Sequence, residues 1–221
     1  MTELTLSLGG TEVAVAVHIA IVAGWTGRDR AAVEEHIAEL EAVGVPRPST
    51  TPIFYRVSAS RLTTAPEIES TAASSGEVEP LLLRHDGALW VGVGSDHTDR
   101  ELETHSVAAS KQLCDKPVVR ELWPYAEVAG HWDQLVLRSR IFTDGGEALY
   151  QEGTLEVLLP PDELLAQARP PLDDGALMFC GTIPARGGIR PASEFVYELE
   201  DPVLGRTIAG RYAMRVLPLI S

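Results

Sequence analysis

The sequence predicts a β-rich α+β fold in which a few short helices accompany many strands. Nineteen glycines and 15 prolines mark frequent turns among the 221 residues, which is typical of a β-rich chain rather than a helical bundle. Most segments between the turns alternate apolar and polar residues or are β-branched and apolar, and both patterns indicate strands. We expect a single domain over residues 1–221, in which residues 1–60 could form a small N-terminal lobe and residues 61–221 the core.

The first predicted strands lie at the N-terminus. Residues 3–8 alternate, residues 12–23 are apolar and β-branched, and the Gly-Gly pair between them predicts a tight turn. A further strand is predicted over residues 53–58. The polar residues 59–76 are predicted to be a loop.

A helix is predicted between the second and third of these strands. Asp29 is a typical N-cap, apolar residues follow at helical spacing, and Gly44 predicts the helix end. The helix carries His36 and Glu39 three positions apart, so their side chains are neighbours on its surface.

The middle of the chain contains a predicted hairpin. Residues 77–84 and 88–94 form its strands, and residues 85–87 form its turn. Residues 99–109 have moderate helical character. The C-terminal part is mostly strands, predicted at residues 133–142, 147–159, 176–184 and twice within 193–217, with a short helix at residues 160–168.

Composition excludes several classes of protein. The net charge of −14 repels phosphate backbones, so we expect no nucleic-acid partner. The two cysteines, Cys114 and Cys180, are expected to be reduced and buried, and no Cys/His cluster suggests zinc. The N-terminus lacks the features of a signal peptide, and the longest apolar stretch, residues 13–24, is too short to span a bilayer. We therefore expect a cytoplasmic protein without a membrane partner.

Three carboxylates are candidate metal ligands. Glu77 and Glu79 are two positions apart on a predicted strand and therefore face the same side. Asp96 ends the other strand of the same hairpin and can approach both. Three carboxylates near one point suit a hard cation such as Mg²⁺ or Mn²⁺. The alternative for the glutamates is an exposed hairpin face.

Other residues could carry catalysis. Lys111 could stabilise an enolate or oxyanion, or it could be a surface lysine. His36, oriented by Glu39, could act as a general base toward water, or the two could be an ordinary solvent-facing pair. The segment CGTIPARGG, which includes Thr182, could present backbone N–H groups and a hydroxyl to a ligand, or it could be a plain turn.

The order of these pieces resembles the fumarylacetoacetate hydrolase superfamily over about residues 24–217. GRDRAAVEEHIAEL is similar to the short helix of that family that bears His-x-x-Glu, and it supplies His36 and Glu39. TPIFYRVS is similar to the strand that follows. Glu77 and Glu79 match the family's Glu-x-Glu.

The later motifs continue the resemblance. SDHTDRELE resembles the family's Asn-Asp-x-Ser/Thr-Ala-Arg-Asp-x-Gln, which places Asp96 at the metal aspartate, Arg100 at the arginine and Glu103 at the glutamine. SKQLCDKPV resembles the family's lysine motif and places Lys111. CGTIPARGG resembles Thr-Gly-Thr-Pro-Ala-Gly and places Thr182.

The resemblance implies a rolled mixed β-sheet with a barrel-like core, usually in a homodimer. It implies Mg²⁺ or Mn²⁺ held by Glu77, Glu79 and Asp96, and a helix that closes as a lid and carries the catalytic His36 and Glu39. Family members act on small 2-oxo acids or 1,3-dicarbonyl compounds such as acylpyruvates, oxaloacetate and fumarylacetoacetate. We therefore expect a hydrolase or lyase that cleaves a C–C bond or decarboxylates, with Lys111 as a further catalytic residue.

The sequence also departs from the family pattern. Asp96 follows Glu79 by only 17 positions, so a helix that family members have between the ligand strands is expected to be missing. Arg100, Glu103 and Thr182 are expected to bind substrate, although an acid at 103 replaces the usual glutamine. Two alternatives stay open: an isomerase or hydratase of the same fold, and a non-catalytic module that binds a small molecule.

Overall fold

The computed structural model describes residues 1–42, 47–218 and 220. The strands and α-helices of this part are, in chain order, β1 (Thr2–Leu8), β2 (Thr11–Val17), β3 (Ile19–Gly24), α1 (Arg30–Ala42), β4 (Ile53–Val57), β5 (Leu62–Thr63), β6 (Glu67–Ser70), β7 (Ser74–Ser75), β8 (Val78–His85), β9 (Ala88–Ser95), β10 (Thr98–Asp99), α2 (Arg100–Glu103), α3 (Val107–Leu113), β11 (Lys116–Pro117), β12 (Glu121–Pro124), α4 (Tyr125–Val128), β13 (Val136–Thr143), β14 (Gly146–Thr154), α5 (Pro161–Gln167), β15 (Ala176–Phe179), β16 (Glu194–Asp201) and β17 (Arg206–Val216). Short 3₁₀ helices cover Ala59–Arg61, Ala129–Gln134 and Leu155–Val157.

Two mixed sheets form the body of the protein. The larger sheet has the strand order β2-β1-β12-β9-β8-β15-β3-β4 and includes parallel pairs between β1 and β12 and between β15 and β3. It curls into a half-barrel. The second sheet has the order β14-β13-β16-β17-β6, with β17 and β6 parallel. The predicted β-rich α+β fold with a rolled mixed sheet is confirmed.

Strand β8 is buried on both faces of the larger sheet. Leu82 packs into a core shared with Leu137 of β13 and Phe195 of β16. Leu81 and Leu83 point the other way, into a second core that is lined by β1, β2 and β3. Since burying one leucine side chain contributes roughly 1.5–3 kcal/mol, these alternating contacts hold β8 in register. The acidic residues at its beginning are therefore held on a fixed strand.

The predicted hairpin is confirmed as β8 and β9. Its turn residues Asp86 and Gly87 have φ angles of 50° and 73°, the left-handed pair that a two-residue turn between twisted strands requires. The register pairs Val78 with Ser95 and Glu79 with Gly94. The hairpin therefore brings the beginning of β8 beside the end of β9, with no helix between the two strands.

The N-terminal part agrees with prediction except at one point. Strands β1 and β2 form the predicted hairpin, but the predicted strand over residues 12–23 divides at His18. The backbone N–H of His18 donates to the carbonyl of Gly175 at 2.9 Å. The chain therefore leaves β1, its partner at the edge of the larger sheet, and continues as β3, which pairs with β15. The hydropathy pattern does not change across His18, which is why the sequence did not indicate the division.

Three further local predictions can be compared with the structure. Asp29 Oδ1 accepts hydrogen bonds from the N–H groups of Ala31 and Ala32, so the predicted N-cap of α1 is confirmed, whereas the predicted helix end at Gly44 lies outside the described residues. The predicted helix over residues 99–109 is two helices, α2 and α3. The predicted loop over residues 59–76 contains β5, β6 and β7. Among the described residues, no helix is long and apolar enough to cross a membrane.

Candidate metal centre

Three carboxylates converge where the β8–β9 hairpin opens. Glu77 immediately precedes β8, Glu79 is its second residue, and Asp96 follows β9. The N–H of Asp96 donates to the carbonyl of Glu77 at 3.0 Å. One carboxylate oxygen from each residue lies within 4.8 Å of the other two. Glu79 and Asp96 are buried and Glu77 is half-buried, so the cluster is not an exposed hairpin face.

Asp96 is flanked by two lysines. Lys111, from α3, donates a hydrogen bond to Asp96 Oδ2, and Lys116 Nζ lies 3.2 Å from Oδ1. Burial alone would raise the pKa of Asp96, but the ammonium groups of Lys111 and Lys116 outweigh burial and lower that pKa to about 2. Burial lowers the pKa of Lys111, yet the attraction of Asp96 and the two glutamates raises it overall. Asp96 is therefore a carboxylate and Lys111 an ammonium at neutral pH.

Glu79 lies in a different electrostatic environment. Its Oε2 accepts a hydrogen bond of 2.8 Å from the N–H of Gly181, but burial and the nearby charge of Asp96 raise its pKa well above the ordinary value. Gly181 has φ +101°, and a Cβ there would lie 1.8 Å from Thr26 Oγ1. Only glycine can therefore bring its N–H to Glu79 at this point.

Arg100 holds Glu77 from α2. Its Nη2 lies 3.3 Å from Glu77 Oε1, its Nη1 donates to Glu103 Oε2 at 2.9 Å, and its Nε donates to Ser75 Oγ at 2.7 Å. The structure thus brings the predicted substrate-binding residues Arg100 and Glu103 into the cluster, where they bind each other and orient Glu77.

Thr182 also lies beside the cluster, behind the glutamates. Its hydroxyl donates to the carbonyl of Val78 and accepts from Gln151 Nε2, both at 2.8 Å. Gln151 Oε1 in turn accepts from the N–H of Val78 at 3.0 Å. These bonds tie the end of β15 to the start of β8, so they fix the strand that carries Glu79.

His36 and Glu39 lie on the outside of α1. Their side chains are 61% and 69% exposed, and His36 Nδ1 is 3.4 Å from Glu39 Oε2. The ring of Trp25 lies 5.8 Å from that of His36, and the ring of Tyr55 lies 5.9 Å from Lys111 Nζ. Over the described part of the chain, no hydrogen bond or ion pair joins His36 or Glu39 to the three carboxylates.

The family of the chain follows from the comparison with family models. The model described as "Protein of unknown function (DUF2848)" matches residues 23–212. The chain belongs to the DUF2848 family. No curated protein matches the sequence.

Solved structures share the fold of this DUF2848 chain. A candidate fumarylacetoacetate isomerase/hydrolase from Oleispira antarctica is 16% identical, with 96% of this chain and 100% of that one covered and a TM-score of 0.69. A candidate fumarylpyruvate hydrolase from Burkholderia cenocepacia is 17% identical, with 99% and 97% covered and a TM-score of 0.67. A 2-keto-3-deoxy-D-arabinonate dehydratase is 13% identical, with 92% and 74% covered and a TM-score of 0.62. The predicted resemblance to the fumarylacetoacetate hydrolase superfamily is confirmed in the fold.

The cluster fits a hard divalent cation. Carboxylate oxygens are the ligands that Mg²⁺ and Mn²⁺ prefer, and the three carboxylates are held by separate partners that leave oxygens facing one another. Asp96 Oδ1 is buried and, among the residues that the structure describes, accepts no hydrogen bond. The Lys116 ammonium lies 3.2 Å from this oxygen and offsets part of the cost of its burial, and a cation bound by the cluster would give it a direct ligand contact.

The sequence analysis missed Lys116 and Gln151. A signal for Lys116 was present, because Lys111 and Lys116 are the only lysines in the chain and lie five positions apart. Gln151 had no local signal, since its role depends on β14 lying behind β8. His97, the residue after Asp96, is buried and uses both ring nitrogens, with Tyr212 Oη and Ser74 Oγ each at 2.9 Å.

Proposed function

We propose that this protein is a divalent-metal-dependent enzyme that hydrolyses a C–C bond in, or decarboxylates, a small 2-oxo acid or 1,3-dicarbonyl compound. The observation that carries the proposal is the convergence of Glu77, Glu79 and Asp96 beside Lys111. The fold shared with proteins named as a hydrolase, an isomerase and a dehydratase supports an enzymatic function of this kind.

The three carboxylates would hold the cation, with Mg²⁺ and Mn²⁺ both suited to them. Such an ion supplies a Lewis acid for the oxo-carboxylate end of a substrate. Lys111 Nζ, anchored on Asp96, is an ammonium aimed at the same point and can stabilise negative charge that develops on a substrate oxygen. Arg100 pairs with Glu77, and Glu103 in turn accepts a hydrogen bond from Arg100. Thr182 binds the backbone of β8, the strand that carries Glu79.

Water activation is assigned to His36 with Glu39. Their contact of 3.4 Å lets the carboxylate orient the imidazole. Because both side chains face solvent, this role requires α1 to move toward the carboxylates when substrate binds. The start of α1 is held by Arg28, whose guanidinium makes two hydrogen bonds to Asp133 at 2.8 and 2.6 Å, so the movement would pivot about that end.

An isomerase or hydratase is the second candidate. The exposure of His36 and Glu39 favours the isomerase of these two, because moving a proton next to a carbonyl consumes no water. Under this proposal the His36–Glu39 pair would have no role in the chemical step.

The test is a panel of acylpyruvates and oxaloacetate, assayed with and without Mg²⁺ or Mn²⁺ and analysed for product. We expect product only with metal, and we expect Asp96→Ala to lose both turnover and metal binding in calorimetry. Glu147→Ala is the matched control, because Glu147 is a surface carboxylate paired with Arg140. Unchanged metal affinity in Asp96→Ala would contradict the assignment of Asp96 as a metal ligand. Binding of panel compounds without product or metal effect would favour a non-catalytic module.

A further inference from the structure

Both lysines of this chain form ion pairs with the same carboxylate, that of Asp96. All other basic side chains with a permanent charge are arginines, of which there are 16 according to the sequence. Lys111 and Lys116 are both buried, and their Nζ atoms flank the two oxygens of Asp96. A buried ammonium carries a desolvation cost of several kcal/mol unless it has partners. The placement of both lysines is therefore a feature of the site rather than of the surface.

Lys116 is fixed in a way that Lys111 is not. Its Nζ donates to the carbonyls of His97 at 2.6 Å and Cys114 at 3.1 Å. It lies 3.2 Å from Asp96 Oδ1, yet Oδ1 accepts no hydrogen bond from any residue that the structure describes. Because two of its three donors bind main-chain oxygens, the Lys116 ammonium is held beside Asp96 and stays close to any cation that binds Oδ1.

The formal charges then determine what the cluster can hold. Arg100 and Glu103 are bonded to each other and cancel. With all three carboxylates ionised, as cation binding requires, Glu77, Glu79 and Asp96 with Lys111 and Lys116 leave a charge of −1. A divalent cation brings this sum to +1, and the cation then lies close to a fixed ammonium. A single carboxylate on the ligand returns the sum to zero.

We propose that Lys116 is a positioning residue that couples the binding of the divalent cation to the binding of an anionic ligand. This inference rests on the proposed function and specifies its substrate class as a monoanionic 2-oxo acid. The fixed ammonium weakens binding of the cation alone through repulsion. It favours the cation together with the substrate carboxylate, so each ligand strengthens the binding of the other to the same degree.

The experiment is calorimetry of Mn²⁺ on the full chain, with and without pyruvate, which is a monoanionic 2-oxo acid. We expect saturating pyruvate to tighten Mn²⁺ binding to the wild type by about tenfold or more. Lys116→Met removes the charge at similar volume, so we expect it to bind Mn²⁺ alone about tenfold more tightly than the wild type. The factor by which pyruvate tightens Mn²⁺ binding should be several-fold smaller in Lys116→Met than in the wild type. Arg140→Met, which removes a surface charge paired with Glu147, is the control and should behave like the wild type.

The outcomes separate the two proposals. If wild type and Lys116→Met bind Mn²⁺ equally well, the inference is overturned while the proposed function stands. If the wild type binds no Mn²⁺ under either condition, both are overturned. If Lys116→Met does not fold, the wild type decides alone, because equal Mn²⁺ affinity with and without pyruvate contradicts the coupling. Lysine-selective labelling adds a direct readout, since Mg²⁺ with pyruvate should shift both of the two side-chain signals.

Discussion

The guanidinium of Arg100 lies 3.3 Å from the carboxylate of Glu77 as an ion pair, while hydrogen bonds to Ser75 and Glu103 fix its plane. Arg100 was predicted to bind substrate, and the structure places its guanidinium against Glu77, a candidate metal ligand. A partner that orients a ligand carboxylate typically affects metal affinity as much as some ligands do. From this position we expect Arg100 to have a measurable effect on metal binding.

We predict that Arg100→Met lowers Mn²⁺ affinity by about tenfold to about a hundredfold, because Glu77 loses the group that orients it. Calorimetry without any substrate measures this directly. Arg140→Met is the matched control, since Arg140 pairs with Glu147 on the surface at 3.0 Å. If Arg100→Met weakened pyruvate binding but left Mn²⁺ affinity unchanged, Arg100 would be a substrate ligand only.

The raised pKa of Glu79 predicts how metal binding depends on pH. Burial, followed by the charge of Asp96, favours the protonated form of Glu79, but a divalent cation requires the carboxylate. Below the pKa of Glu79 we expect Mn²⁺ affinity to fall by about tenfold for each unit of pH, with one proton released on binding. Calorimetry in two buffers of different ionisation enthalpy measures that proton. Affinity that does not vary with pH would contradict this prediction.

The same raised pKa has the opposite consequence for the metal-free protein. A group whose pKa is higher in the folded than in the unfolded chain stabilises the fold at low pH, and that stability is lost as pH rises through the folded pKa. Glu79 should therefore make the metal-free protein less stable toward higher pH, and added Mg²⁺ should offset the loss. Thermal unfolding, measured with and without Mg²⁺ from below to above the pKa of Glu79 in the folded protein, compares the two stabilities.

The sequence predicted the structure correctly where a feature depends on residues that are close together in the sequence. The β8–β9 hairpin followed from two alternating or apolar runs and a turn ending in Gly87, and it placed Glu77, Glu79 and Asp96 together correctly. The spacing of 17 positions between Glu79 and Asp96 also indicated correctly that no helix separates them. Each of these features is encoded within about 20 residues.

The sequence was less informative where distant segments meet. Strand β6 lies in a polar stretch and is a strand because β17, more than a hundred positions later, pairs with it. Lys116 lies five positions from Lys111, but only its contacts with His97 and Asp96 distinguish it from a surface lysine. Asp99 replaces the alanine of related motifs, and the structure gives it the role of N-cap of α2, where it accepts from the N–H of Leu102.

Gly94 provides a test of how closely the site is packed. A Cβ at this position would lie 2.6 Å from the ring of Phe179 and 2.8 Å from the carbonyl of Pro117. We predict that Gly94→Ala lowers the free energy of unfolding by roughly 1–3 kcal/mol, because a backbone carbonyl and a buried ring must shift. Gly130→Ala is the control, since its Cβ meets nothing within 4 Å. Equal stability of the two variants in chemical denaturation would show that β9 is more loosely packed than described.

His36 separates a hydrolytic mechanism from the alternatives. Its side chain is 61% exposed and its described hydrogen-bonding partner is Glu39, so its removal should disturb neither the fold nor the carboxylates. We predict that His36→Ala binds Mn²⁺ like the wild type but loses about a hundredfold or more in turnover, the usual contribution of a general base. Glu35→Ala, on the same exposed helix, is the matched control and should stay active. Because isomerisation and decarboxylation consume no water, full activity of His36→Ala would contradict hydrolysis by water that His36 activates and would show that the pair on α1 is only structural.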